Sequence, residues 1–353
     1  MKAARQDPAR ERAAAAGHAP LPRRRAPGWL VAALVPVALV LAVAARDAVA
    51  WVGRPFAGFL FSDGRIVFSI ARPQWLPATI RRPEWSVVSA VDGTPVASGG
   101  AVHDAVRAAG AGRELTYTFR RGAEVFRLAL PARRFGWDDF AEVFAPMLGV
   151  GTWVIALGAL PVALRPARPE VRAHFIVCLL LGLMLLTSPD EYGPYRLLWI
   201  FFLALALLPP AILHLAASFL GAPGRWRGRV LGGLYVLFAA LGATLVLLRF
   251  DAPVFLPLLY LVYCALANAL LLYAGVLVSV LATRDRPRRQ TLAALAAILG
   301  SGGIVIAILV TYPLRTEGVS VPWFILPIGL WPVLHAIGFL AAERRRPVPR
   351  VAS

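Results

Sequence analysis

Eight long apolar stretches, parted by loops that carry arginine, constrain this chain more than anything else in it. They are Trp29–Ala45, Val143–Leu164, Ala173–Leu186, Leu197–Leu220, Val230–Leu248, Val254–Leu281, Leu292–Val310 and Val319–Leu340. A hydrocarbon core of about 30 Å takes roughly 20 apolar residues of helix, and the third stretch, being short, is free to extend at either end. In lipid every backbone N–H and C=O needs an internal partner, so such segments are helices. Composition agrees: 59% of residues are hydrophobic and only 16% charged, too apolar for one water-soluble core.

Arginine placement sets the orientation. The N-terminal arm holds Lys2, Arg5, Arg10, Arg12, Arg23, Arg24 and Arg25. Alternate loops carry Arg165, Arg168 and Arg172, then Arg225, Arg227 and Arg229, then Arg284, Arg286, Arg288 and Arg289, and the tail carries Arg344, Arg345, Arg346 and Arg350. The intervening short loops hold one each: Arg196, Arg249 and Arg315. This positive-inside alternation puts both termini in the cytoplasm and the residues after the first stretch outside. The net charge of +18 is then explained by topology and by attraction to anionic headgroups, with no call for nucleic acid. Residues 1–27 read as a disordered basic arm, 28–52 as a retained signal anchor without a cleavage site, and 343–353 as a basic tail. One lysine against 36 arginines suggests a GC-rich bacterial genome, hence a bacterial inner membrane. Cys178 and Cys264 both lie in apolar spans, so neither a disulfide nor a metal framework is expected, and no cofactor.

Between the first two stretches lies a water-soluble island, Gly53 to Ala141. Arg65–Ile70 and Ser86–Val91 read as strands, the second ended by the turn signal Asp92-Gly93. After Ser98-Gly99-Gly100, Val102, Ala105, Val106 and Ala109 fall on one helical face. Gly110 and Gly112 stop that helix, and Leu115–Phe119 and Val125–Leu130 form a hairpin around Arg121-Gly122. The expected core includes Val87, Val91, Val102, Val106, Phe119 and Leu128.

In the membrane part, Pro209-Pro210 is expected to break the fourth span. His214 follows it as an ionisable group at membrane depth, a functional candidate by position. Asn268, on a span with Tyr260, Tyr263 and Tyr273, is the other polar candidate, with packing glue as its plainer role. Asp190, Glu191 and Tyr192 read as an acidic, solvated outer loop.

Val87-Val88-Ser89-Ala90-Val91-Asp92-Gly93-Thr94-Pro95-Val96, the helix after it and the hairpin of residues 115–130 together resemble a PDZ domain. Gly58-Phe59-Leu60-Phe61 echoes that family's carboxylate loop, while Glu84-Trp85 stands where PDZ domains usually carry Gly-Asp. The resemblance implies capture of a peptide by strand addition, in a groove between the Val67–Ile70 strand and the Val102–Ala109 helix, with Val67, Ser69, Val102, His103 and Val106 as candidate contacts. The segments around Pro209-Pro210…His214 and Pro322…Pro327…Trp331-Pro332…His335, with Asp138-Asp139-Phe140 through Arg165–Pro169, resemble the membrane sensor region of bacterial polytopic histidine kinases of the competence-pheromone-receptor type. That family places a PDZ-like domain after the first span and seven spans after it. Family members continue into a kinase module, whereas this chain stops at Ser353, too soon for a phosphoacceptor helix.

Enzymatic readings lack their motifs. None of the five histidines is followed by Glu, so His-Glu-x-x-His is absent. No apolar span carries an aspartate pair, and no Gly-Lys-Ser/Thr loop occurs. Ser301 in Gly300-Ser301-Gly302-Gly303, with His335 in the next span, is the remaining protease candidate, but Leu299 stands where the rhomboid pattern needs Gly. The expectation is thus a mainly α membrane protein of eight transmembrane helices, one plus seven. A small α+β PDZ-like domain (53–137) precedes a seven-helix bundle (138–342). It is a non-enzymatic receptor or signalling protein that binds a peptide or protein segment outside and meets a cytoplasmic kinase or regulator inside, with a transporter component as the alternative.

Overall fold

The computed structural model describes residues 27–69, 71–76, 79–219, 225–248, 254–282 and 322–341. It is mostly helical, with one small sheet region, and six of its helices are long and apolar enough to cross a membrane. They are α1 (Gly28–Val49), α3 (Trp137–Leu164), α4 (Pro169–Thr187), α5 (Leu198–Phe219), α6 (Arg225–Leu248) and α7 (Phe255–Ala282). These are the marks of a multi-pass membrane protein. The short third stretch does extend: α4 starts at Pro169 and runs on through a 3-10 turn, Ser188–Tyr192. The expected span Leu292–Val310 and Ser301 lie outside the described residues. The last expected span is helical as α8 (Pro322–Ala341).

The helices alternate in direction. Leu30 at the start of α1 packs with Val162 at the end of α3 and with Val171 and Phe175 at the start of α4. The arginines of the 165–172 loop therefore share one end with the start of α1. The end of α1, the start of α3 and the 188–197 turn share the other. Glycines let α3 and α4 approach closely. A Cβ at Gly182 would stand 2.3 Å from Ile155 and 2.8 Å from the Gly151 carbonyl, and one at Gly158 would stand 2.4 Å from Cys178. Small residues at such crossings substitute backbone packing for the hydrophobic effect, which is absent between helices in lipid.

Pro209-Pro210 corrects an expectation. Helix α5 continues through both prolines, which are buried. A proline costs its own N–H bond, yet neighbouring helices cover the freed carbonyls and permit a continuous helix. Among the described spans, α1 (Pro36) and α3 (Pro146, Pro161) carry prolines in the same way.

Residues 53–136 form the sheet region. Its two ends are zipped together: Gly53 N donates to the Phe135 carbonyl at 2.8 Å and Phe135 N to the Arg54 carbonyl at 3.0 Å. Strands β1 (Pro55–Phe56) and β8 (Arg133–Arg134) pair antiparallel beside that contact. Strand β2 (Leu60–Phe61) pairs with β3 (Val67–Ser69). A four-stranded antiparallel sheet follows in the order β5-β4-β6-β7, from β4 (Val87–Val91), β5 (Thr94–Pro95), β6 (Glu114–Arg121) and β7 (Glu124–Pro131). Asp92 and Gly93 both take positive φ, as a tight hairpin between β4 and β5 requires. Helix α2 (Gly99–Ala109) joins β5 to β6. Ser98 caps it by accepting from Ala101 N, and Gly110 ends it at φ 82°.

Leu115, Tyr117 and Phe119 alternate inward along β6 and share one buried cluster with Val102 and Val106 of α2. Val91 is buried as expected, while Val87 and Leu128 sit half-buried at the margin. This core does not stop at the sheet region. Phe135 stacks on Phe144 of α3 at 5.2 Å, and Trp51 meets both rings edge-on at 5.5 Å. One continuous apolar cluster runs from the sheet into the bundle.

Candidate functional site

The site with the most chemistry lies where the sheet region meets the turn between α4 and α5. His103 stands on the bundle side of α2, next to the buried Val102. Its Nε2 lies 2.8 Å from the Tyr192 carbonyl and 3.3 Å from the Tyr195 hydroxyl. A carbonyl only accepts, so Nε2 carries the proton. The imidazole stacks on Phe61 at 4.5 Å and meets Trp51 edge-on at 5.3 Å. Burial pushes its pKa down to about 4, against the raising effect of the Tyr192 carbonyl, so the ring is neutral at pH 7. Trp51 Nε1 donates to the Gly193 carbonyl at 3.3 Å, and the Tyr195 hydroxyl donates to the Phe61 carbonyl at 3.5 Å. Burial, then the charges of Asp63 and Asp190, raise the Tyr195 phenol well above its ordinary range, so it stays a donor.

The turn is held to the bundle as well. Asp190 Oδ2 accepts from Leu197 N at 2.6 Å, and the Asp190 carbonyl accepts from Gly193 N at 3.1 Å. Burial pushes the Asp190 carboxyl pKa up, while the Leu197 N–H and its place at the N-terminus of α5 favour the anion and oppose that rise. Asp47, near the end of α1, accepts from Arg46 at 2.8 Å and lies 3.8 Å from Arg196 of the turn. The acidic outer loop expected to be solvated is instead buried at Asp190 (3% exposed) and Tyr192 (4%).

A second fastening joins the sheet region to α3. Arg72 Nη1 donates to Asp139 Oδ1 at 2.5 Å and Nη2 to Glu142 Oε1 at 2.8 Å. Trp75 Nε1 donates to the same Asp139 oxygen at 2.9 Å, and Asp139 Oδ2 accepts from Gly136 N at 2.8 Å. One carboxylate therefore caps α3 and binds two side chains of the sheet region.

The residues put forward from sequence are placed as follows. Val67 and Val102 are fully buried and Val106 is 1% exposed, so all three pack in the region's own core. Ser69 lies on β3 opposite Leu60. His103 reaches across to the α4–α5 turn. His214 Nδ1 lies 3.4 Å from the Tyr235 hydroxyl, a link between α5 and α6. Asn268 is exposed on α7 and donates to the Cys264 carbonyl of its own helix at 2.8 Å.

No family, no curated protein and no solved structure matches the chain.

A polar cluster inside the bundle escaped the sequence reading. His174 and Cys178 of α4, Tyr273 of α7 and Trp331 and His335 of α8 are all buried together. The two imidazoles stack at 5.1 Å and 13°. His335 Nδ1 donates to the Trp331 carbonyl at 3.0 Å, which leaves Nε2 to accept from the Tyr273 hydroxyl. His174 Nε2 lies 3.4 Å from Cys178 Sγ. Both histidine pairings include an i, i+4 step on one helix, a spacing visible in the sequence, but only packing brings the three helices together. No group of His, Cys, Asp or Glu among the described residues is arranged to hold a metal ion. What the cluster can do is tie α4, α7 and α8 together in lipid, where polar side chains act as interhelical glue.

Proposed function

We propose that the chain is a receptor or signalling protein of the bacterial inner membrane, in which the outer domain binds a peptide or protein segment and the bundle relays occupancy to a cytoplasmic partner. The observation that carries this reading is the two-point seating of the sheet region on the bundle, through His103–Tyr192 on one side and Arg72–Asp139 on the other. A ligand shifts a bundle only if it binds one arrangement better than another. A binding element in direct hydrogen-bond contact with the α4–α5 turn and with the first turn of α3 has the means to do so.

The finer architecture belongs to the same proposal. Eight spans with both termini cytoplasmic follow from the arginine alternation, and the shared ends of α1, α3 and α4 support that order. A PDZ-like identity for residues 53–137 is supported by the antiparallel order β5-β4-β6-β7 and by a helix between β5 and β6. The likeness to histidine-kinase sensor regions rests on the same arrangement, one span, a folded insert and a bundle. We propose no catalysis by this chain. The transporter alternative finds its clearest expected mark, a broken fourth helix, replaced by a continuous α5.

The test is affinity capture from bacterial membranes with the full chain and with a chain lacking residues 54–135. A kinase or response regulator whose association depends on those residues is the expected result. Capture indifferent to the deletion would overturn the receptor reading. Cysteine labelling at residues 113 and 168 in intact cells checks topology: reaction from outside is expected only at 113.

A further inference from the structure

The α4–α5 turn lies on the sheet region and on Trp51, just past the end of α1, as a bound segment would. Its four polar contacts are the Tyr192 carbonyl and the Tyr195 hydroxyl on His103 Nε2, the Gly193 carbonyl on Trp51 Nε1 and the Tyr195 hydroxyl on the Phe61 carbonyl. Trp51, Phe61 and His103 supply aromatic walls, His103 a donor and Phe61 an acceptor. Gly99, the first residue of α2, keeps the seat open. A Cβ there would stand 2.4 Å from the Tyr195 oxygen and 2.6 Å from the Ser62 carbonyl. Gly99 lies in regular helix behind the Ser98 cap, so backbone conformation does not demand glycine. Close approach does: the Ser62 carbonyl and Asp63 Cα of the sheet region's own backbone stand there together with the Tyr195 hydroxyl.

The polar part of the grip is mostly long. Three of the four hydrogen bonds, two at 3.3 Å and one at 3.5 Å, are longer than the usual 2.9–3.0 Å. The apolar seam of Phe135 on Phe144 adjoins them, since Trp51 packs on both rings and Tyr192 stacks on Phe144 at 6.5 Å, but the Phe135–Phe144 stack itself uses no residue of the turn.

We propose that this seat is the ligand site of the outer domain, that the Tyr192–Tyr195 turn is its resident occupant, and that the activating ligand is a peptide segment presenting a tyrosine hydroxyl and a free backbone carbonyl in the turn's place. The proposal rests on the receptor reading and sharpens it. An internal occupant lowers the apparent affinity for any competitor by the fraction of time the seat is filled. Displacement moves the turn, and with it the start of α5 that Asp190 caps.

The experiment uses the full chain in nanodiscs and a dye-labelled peptide copying residues 188–196. Tyr195→Ala vacates the seat, and the peptide is expected to bind it about tenfold or more tighter than the wild type. Adding His103→Ala to that variant, or replacing the second tyrosine of the peptide by alanine, is expected to abolish the gain. Hydrogen exchange over β6 and β7 reports that the sheet region stays folded. Tyr195→Phe, which drops only the hydroxyl, gives the same comparison with packing retained, and a several-fold gain is expected there. Equal affinity for wild type and both variants, or no binding to either variant with β6–β7 protection intact, overturns the proposal. The receptor reading is judged separately, by whether partner capture depends on residues 54–135.

Discussion

His103 donates its Nε2 proton to the Tyr192 carbonyl across 2.8 Å, joining a helix of the sheet region to the turn between two membrane helices. The donor is neutral because burial disfavours its charged form, and its ring is clamped between Phe61 and Trp51. A neutral, walled donor on a backbone carbonyl makes the joint sensitive to acid.

That sensitivity has a definite sign. The pKa of His103 is about 4 in the closed joint against an ordinary 6.5. Between those values the unfolded or opened chain binds more protons, so stability is complete above pH 6.5 and declines as pH falls toward 4. Thermal melts followed by tryptophan fluorescence should show the midpoint dropping through that window. His103→Gln, which keeps a donor and cannot titrate there, should flatten the drop. An equal decline in both proteins would assign the acid effect to other groups.

Asp139 should be the costliest single surface-proximal residue of the joint to lose. It caps α3 and accepts from Arg72 and Trp75. Removing it strips charge-assisted bonds from a largely buried Arg72, a loss of about 2–5 kcal/mol. Asp139→Ala should lower the melting midpoint markedly, and Asp139→Asn should recover part of it. Glu124→Ala breaks the Arg81–Glu124 pair, whose side chains are 43% and 50% exposed, and should change nothing measurable because solvent screens it.

The α3–α4 crossing depends on missing side chains. Gly182→Ala places a Cβ 2.3 Å from Ile155 and 2.8 Å from the Gly151 carbonyl. Backbone on one side cannot yield as a flexible side chain would, so a cost of about 1–3 kcal/mol is expected. Gly233→Ala on α6 meets nothing within 4 Å and should be neutral. Unfolding in mixed micelles compares the two, and equal stability would refute the close-packed crossing.

Within the bundle, Tyr273→Phe leaves His335 Nε2 without its donor and should cost about 1 kcal/mol, near the usual scale for interhelical hydrogen bonds in lipid. Asn268→Leu should cost nothing, since the amide is exposed and serves only its own helix. The same micelle assay decides, and a larger loss at Asn268 than at Tyr273 would reverse the assignment.

Parts of this were legible without coordinates because they are local. Apolar length fixes α1 and α3 through α7 as spans. Asp92-Gly93, Ser98 and Gly110 mark a hairpin and both ends of α2 through backbone preferences that need no neighbour. The alternation of Leu115, Tyr117 and Phe119 gives β6 its inner face. The candidate site was only half legible. His103 stood out beside the apolar stripe of α2, but Val67, Val102 and Val106 carry the same apolar signature whether they line a groove or fill a core.

What the sequence alone determined is thus the solvent of each segment, the helices that lipid imposes and the turns that glycine and aspartate impose, since each follows from a residue's own chemistry. Only the tertiary structure decided what meets across large separations: His103 with Tyr192, Arg72 with Asp139, His335 with Tyr273 and His174. A charge such as Asp190 carries no mark in the sequence of whether water or a helix terminus will satisfy it. That depends on which elements pack over it, and packing is a property of the whole chain at once.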